Sequence, residues 1–122
     1  MPDQSLDQRI RRLEALEDIR HLKALYCLHC DRDYDPDALA DLFTEDAVWD
    51  AGPLRGVHRG RDAIRQFFFG AAAKIPYAAH LVTNSMIEVS GDRATGIWRM
   101  LMPCEMTADA GSFAALQVAL YD

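Results

Sequence analysis

Apolar residues recur at steps of three and four along the first part of the chain: Ile10, Leu13, Leu16, Ile19, Leu22, Tyr26 and Cys30. That spacing gives a helix one apolar face, and no Gly or Pro interrupts it, so a long helix is predicted from Ser5 to about Cys30. Ser5, with Gln8 three residues on, has the capping-box pattern of a helix start. A second helix is predicted from Pro36 to about Thr44. Asp35 is its N-cap, Pro36 takes the first helical position, where a missing N–H is harmless, and Leu39, Leu42 and Phe43 form its apolar face. "AVWDA" reads as a short strand, and "GPLRGVHRG" as turn, brief strand and turn. "RDAIRQFFFGAAAK" reads as a third helix with Ile64, Phe67 and Phe68 facing inward, and Pro76 closes that region.

After Pro76 the period changes. "YAAHLVTNSMIEVS" and "RATGIWRMLMPCEMT" are long β-type segments flanking "SGD", a hairpin signal. "SFAALQVALYD" reads as a further strand, although its Ala and Leu also fit a short helix. The order helix, helix, strand, helix and then antiparallel strands predicts an α+β fold, with helices gathered on one side of a curved sheet. At 122 residues, half of them apolar, the chain is one domain with a modest core. It shows no repeat, linker or low-complexity tract.

A net charge of −6 argues against nucleic acid, which needs a concentrated basic surface. The short "RIRR" run at Arg9 to Arg12 is interleaved with acids and reads as a solvated helix face. No apolar run approaches the roughly 20 residues that span a bilayer. The opening "MPDQSLDQRI" lacks the apolar core of a signal peptide. Cys27, Cys30 and Cys104 make an odd count, which suits reduced thiols in a cytoplasmic protein better than a disulfide framework.

The chemistry concentrates in "YCLHCDRDYDPDAL", Tyr26 to Leu39. An EF-hand loop beginning at Asp31 would put Pro36 where Gly is required and Leu42 where a bidentate Glu is required; beginning at Asp33 it would put Ala38 and Thr44 there. Cys27, His29, Cys30 and Asp31 carry zinc-ligating atoms, but four such neighbours on one helix cannot converge on a tetrahedral ion. The expectation is therefore no metal, with Cys27 and Cys30 as small core residues. Asp35 caps the next helix, and Asp33 and Asp37 face solvent. Asp31 differs, because it ends the apolar stripe four residues after Cys27 and so lies at the edge of whatever that face encloses. A carboxylate there is useful if it orients and charges a histidine. His21 and His29 fall off the stripe, and His58, beside turn glycines, is expected to be exposed. His80, among small and apolar residues early in a strand, is either a satisfied core histidine or that partner.

The strings "IRHLKALYCLHCDRDYDPDALADLFTEDAVWD", "GVHRGRDAIRQFF" and "HLVTNSMIEVSGDRATGIWRM" resemble, in order and spacing, SnoaL-like domains of the nuclear-transport-factor-2-like superfamily. The resemblance implies a cone-shaped antiparallel sheet wrapped around the long N-terminal helix, with two further helices (the cystatin-like α+β barrel). It also implies a function. Scytalone dehydratase, hexachlorocyclohexane dehydrochlorinase and the bile-acid 7α-dehydratase use an Asp–His pair inside the cone, and the matching positions here are Asp31 and His80. A tyrosine of the bile-acid enzyme matches Tyr26. Five residues turn an ideal helix by about 140° off one face, so Tyr26 and Asp31 would both point inward only if the helix end unwound.

The implied activity is a cofactor-independent lyase or isomerase, performing a dehydratase-like elimination or a proton shift on a polyketide, steroid or aromatic compound. It calls for no metal and no organic cofactor. Candidates to line the cavity, with core packing as the alternative for each, are Trp49, Phe67, Phe68, Val82, Trp98, Met100 and Met102, and Asn84 could add a polar contact. Cys104 stands where scytalone dehydratase has a second histidine, and a thiol does not replace imidazole as an acid or base. The family usually continues with another strand, from which the bile-acid enzyme and the dehydrochlorinase draw a pocket arginine. The expectation is a single SnoaL-like domain over residues 1–122 without that strand, either a fragment or a chain lacking that arginine. An open sheet edge would be left unless a partner covers it, and the resemblance implies a homodimer or higher homo-oligomer formed through the sheet. The competing reading is a non-catalytic binder of small ligands, or a small structural subunit of a ring-hydroxylating oxygenase with the cone filled by side chains.

Overall fold

The computed structural model describes residues 3–121. Helix α1 runs from Leu6 to Asp31, and Ser5 and Gln8 close the capping box in both directions, at 3.2 and 2.9 Å. Its first two turns stay clear of the core, and burial begins at Leu16. Leu16, Tyr26, Cys27 and Cys30 are buried, whereas Ile10 and Leu13 on the predicted stripe remain exposed. The pattern predicted a helix correctly and overstated how much of its face is covered.

The α1 helix ends in a turn in which Asp33 and Tyr34 take φ of 61° and 49°. Helix α2 follows at Pro36–Ala40, with the Asp35 carboxylate accepting from the backbone N–H groups of Asp37 and Ala38. It stops short of Thr44. Strands β1 (Val48–Asp50) and β2 (Val57–Arg59) form a two-stranded ribbon that pairs Trp49 with His58. The predicted third helix is two: α3 (Arg61–Phe69) and α4 (Ala71–Lys74), broken at Gly70, a residue that gives a helix interior little support. The Arg61 guanidinium donates from Nε and Nη2 to the Phe43 carbonyl at 2.8 and 2.6 Å, tying the end of the α2 segment to α3.

The main sheet is antiparallel and centred on β5 (Arg93–Ala108). One side of β5 carries β3 (Tyr77–Ala78) and β4 (Leu81–Ser90), which lie end to end in one register. The other side carries β6 (Gly111–Tyr121), so the ambiguous Ala- and Leu-containing segment is a strand. Gly91, at φ 60°, takes the first central position of the two-residue β4–β5 turn, where a positive φ is needed. Ala78, Met100, Met102 and Cys104 point into the concave side, where they meet Leu39, Ile64 and Phe68. Burying a side chain as completely as Leu39, Ile64 or Phe68 contributes roughly 1.5–3 kcal/mol each. The outer face of the sheet is apolar and open, with Leu81, Leu101 and Val118 in one cross-strand row.

Candidate active site

The concave side of the sheet does not close on itself. Tyr26 and Tyr34 at the end of α1, the β1–β2 ribbon, α3 and the inner face of β5 enclose a cavity of about 430 Å³. His80 lies in its wall between β3 and β4. The neighbouring Ala79 N–H donates to the Pro103 carbonyl on β5 at 3.0 Å. In an antiparallel strand the next N–H points the other way, so that of His80 faces α1. There Asp31 Oδ1 accepts it at 2.9 Å, and the same oxygen accepts from the ring Nδ1 at 2.7 Å. A carboxylate only accepts, so Nδ1 carries the hydrogen and Nε2 keeps its lone pair. Among the described residues Nε2 makes no hydrogen bond, and the ring lines the cavity.

The His80 side chain is 5% exposed and the Asp31 side chain 30%. Burial holds the imidazole below its usual value of 6.5, while the Asp31 hydrogen bond and charge oppose that shift, and the charges of Lys23 and Arg55 add to it. The resting ring is thus neutral at neutral pH, in the form that accepts a proton. Burial likewise raises the Cys27 thiol and pushes Cys30 up to about 12, which suits core residues and not nucleophiles or metal ligands. No group of three or more His, Cys, Asp and Glu is gathered for a metal ion among the described residues.

The anticipated conflict between Tyr26 and Asp31 does not arise. Helix α1 stays helical to Asp31, which reaches His80 from behind the cavity wall, while Tyr26 approaches it from within, ring centroids 6.4 Å apart and nearly perpendicular. Of the other residues singled out by sequence, Trp49, Phe67, Phe68, Met100 and Met102 line the same cavity. Val82, Asn84 and Trp98 do not: they border a separate depression with Arg20, Lys23 and Ala24, because α1 crosses that end of the sheet. Asn84 sits at an irregularity in the β4–β5 register with φ 54°. Cys104 is buried in the core below the cavity, and its partner there is Gln117 Nε2 at 3.9 Å. His58, expected to be exposed, is half-buried: it packs 4.6 Å from Phe67 and donates from Nε2 to the Arg55 carbonyl at 2.7 Å.

Several lining residues were not singled out by sequence, Gln66, Lys74 and Met106 among them, and two others, Tyr34 and Arg55, bear on the chemistry. Tyr34 was hidden in an aspartate-rich turn expected to be solvated. Its left-handed backbone swings the ring inward, where it stacks on Phe68 at 6.2 Å and meets His80 edge-on at 5.9 Å. A bulky residue at positive φ is uncommon, and it persists where the surroundings fix it. Arg55, in the β1–β2 turn, also lines the cavity. An aromatic among turn aspartates and an arginine beside turn glycines were the only signals available.

Residues 11–122 match the family profile described as a SnoaL-like domain. No curated protein matches the chain. Among solved structures, a variant of Rv3472, a protein of unknown function from Mycobacterium tuberculosis, is 30% identical with a TM-score of 0.72. That match covers 99% of this chain and 66% of the other, so the chain spans just under two thirds of that protein. An NTF2-like protein with a cystatin-like fold from Novosphingobium aromaticivorans is 27% identical, covering 100% of this chain and 92% of its own, with a TM-score of 0.67. A hexachlorocyclohexane dehydrochlorinase of type 2 is 22% identical over 93% of this chain and 78% of its own, with a TM-score of 0.73, a likeness of fold.

Proposed function

Because the chain belongs to the SnoaL-like domain family, we propose that it is a small-molecule lyase or isomerase working by acid–base catalysis at His80 and Asp31. One observation carries the reading: a buried imidazole whose Nδ1 is held by a carboxylate at 2.7 Å while its other nitrogen belongs to the wall of an open, largely apolar cavity. In the proposed reaction, Nε2 takes a proton from a carbon beside an activating group. The electron pair left on that carbon forms the new double bond as the leaving group departs from the adjacent carbon. The imidazolium, stabilised by Asp31, returns the proton to a departing hydroxyl, and water leaves. If no group departs, the proton returns at another carbon and the outcome is an isomerisation. A positioned acid–base group contributes roughly 10²–10⁴-fold. Tyr26, against the His80 ring, is a candidate third participant. Substrates compatible with the walls are medium-sized and apolar or aromatic, such as polyketides, steroids or aromatic degradation products.

The open volume counts against a purely structural subunit, which would fill the cone with side chains. We further propose self-association through the outer face of the sheet, supported by the exposed row of Leu81, Leu101 and Val118.

The test monitors deuterium uptake from D₂O into carbon positions of a panel of hydroxylated and halogenated apolar compounds by NMR, together with loss of water or halide. The reading expects exchange or elimination for some members with the wild type, and loss of it in His80→Gln. Equal behaviour of wild type and His80→Gln across the panel overturns it.

A further inference from the structure

Two cationic side chains line the cavity, the exposed Lys74 and the half-buried Arg55, and the second has no acidic partner among the described residues. Arg55 lies in the turn that joins β1 to β2, and its Nη2 donates to Gln117 Oε1, a neutral amide on the inner face of β6, at 3.1 Å. Among the described residues the guanidinium takes part in no salt bridge; the ion pairs there are Arg65 with Asp37 and with Asp62, and His80 with Asp31. Its backbone is fixed from behind. His58 Nε2 donates to the Arg55 carbonyl at 2.7 Å, and the Gly56 N–H and the Ala51 N–H close the turn onto Gly52 and Gly56 at 2.8 and 2.9 Å. The positive φ of Gly52 and Gly56, 82° each, lets the ribbon reverse so tightly.

A half-buried charge facing Phe68, Ile75 and Met102 is unfavourable unless something completes it. Its influence already reaches His80, where it disfavours the protonated ring. A guanidinium presents a planar fork of donors that matches a carboxylate with two parallel hydrogen bonds, and the Gln117 amide occupies only one side of that fork.

We propose that Arg55 is the anchor for an anionic oxygen of the substrate, so that the cavity takes apolar or aromatic molecules carrying a carboxylate. The apolar body lies against Phe68 and Met102, and Gln117 positions the guanidinium from the opposite wall. That the remaining part of the molecule presents its reacting carbon to His80 rests on the lyase or isomerase reading; the anchoring does not. The anchor comes from the β1–β2 turn, an element distinct from the late region that supplies the pocket arginine of the bile-acid enzyme and the dehydrochlorinase.

The experiment uses a matched pair of probes, 2-naphthoate and 2-naphthylmethanol, which share a ring system and differ in the charged group. Binding to the full chain is measured by isothermal titration, with the fluorescence of Trp49 in the cavity wall as a second readout. The wild type is expected to prefer the acid by about tenfold or more, with the preference shrinking as salt rises. Arg55→Gln should abolish the preference while leaving the alcohol's affinity unchanged, and Arg55→Lys should restore part of it. Equal affinities for the two probes in the wild type, no binding of either, or an acid preference that survives Arg55→Gln would each overturn the proposal. His80→Gln separates the two readings. If the acid preference persists in that variant and no compound exchanges or eliminates even in the wild type, the anchor stands and the catalytic reading falls. If catalysis depends on His80 while acid and alcohol bind alike, the reverse holds.

Discussion

Asp31 Oδ1 accepts two hydrogen bonds from one residue, and this allows its charge to be separated from its geometry. An asparagine at position 31 can keep its amide oxygen in the same place and still accept both the His80 N–H and the Nδ1 hydrogen. An alanine removes the acceptor and leaves a backbone N–H and a ring N–H in a side chain that is 5% exposed. An orphaned buried donor costs roughly 1–3 kcal/mol, and a hydrogen bond to a charged acceptor contributes roughly 1.5–3 kcal/mol. The carboxylate is 30% exposed, which screens its charge, so Asp31→Ala is expected to lose about 2–4 kcal/mol of stability and Asp31→Asn about 1 kcal/mol. Urea unfolding measures both. Proton NMR of the His80 ring measures the electrostatic part. Asp31 raises the His80 value against the lowering by burial, so in Asp31→Asn the ring should titrate at a lower pH than in wild type. If His80 titrates alike in wild type and Asp31→Asn, the carboxylate does not act on the imidazole. If Asn and Ala are equally destabilising, the two-donor geometry is not what holds this strand to α1.

Other consequences follow from particular contacts. Because burial holds His80 below 6.5, the unfolded chain binds a proton at this residue before the folded chain does. Its contribution is fully present above about 6.5 and is lost as pH falls through the folded value; urea midpoints at about pH 7.5 and about pH 5.5 should therefore differ more in wild type than in His80→Gln. A Cβ added at Gly96 would meet the Trp98 ring at 2.6 and 2.7 Å, so Gly96→Ala should destabilise by about 1–3 kcal/mol and shift the Trp98 fluorescence; an unchanged unfolding midpoint would refute the contact. Leu101 is 43% exposed between Leu81 and Val118 on the outer sheet face. If copies associate there, Leu101→Glu should lower the molar mass seen by light scattering without lowering the unfolding midpoint of the monomer.

Much of the fold was legible because it is written in local rules. The capping box at Ser5, the Asp35–Pro36 start of α2 and the Gly91 turn are each decided within a few residues, and each stands where the pattern put it. Errors arose where the outcome depended on what lay opposite. Ile10 and Leu13 obey the helical period yet stay exposed, since period reports a face and not its cover. Val82 and Trp98 occupy inward positions on the sheet, but α1 lies between them and the cavity.

The site divides in the same way. Periodicity set Asp31 apart at the end of the apolar stripe and strand context marked His80, but only the family resemblance paired them, because a histidine early in a strand and an aspartate at a helix end carry no mutual signal along the chain. Their contact spans 49 positions and depends on strand alternation turning the His80 N–H toward α1. By itself the sequence determined most of the elements and their order, the acidic surface and the apolar character of the interior, because each of these is set by neighbours within a turn or a strand; the break at Gly70 and the strand state of the last segment were decided by the structure. Only the tertiary structure decided which side chains share a cavity. Tyr34 enters it through two consecutive left-handed residues, and Arg55 enters it through a turn pinned by His58 and met from the far wall by Gln117. Those placements come from contacts between distant segments, and a side chain's surroundings are fixed only when the segments meet.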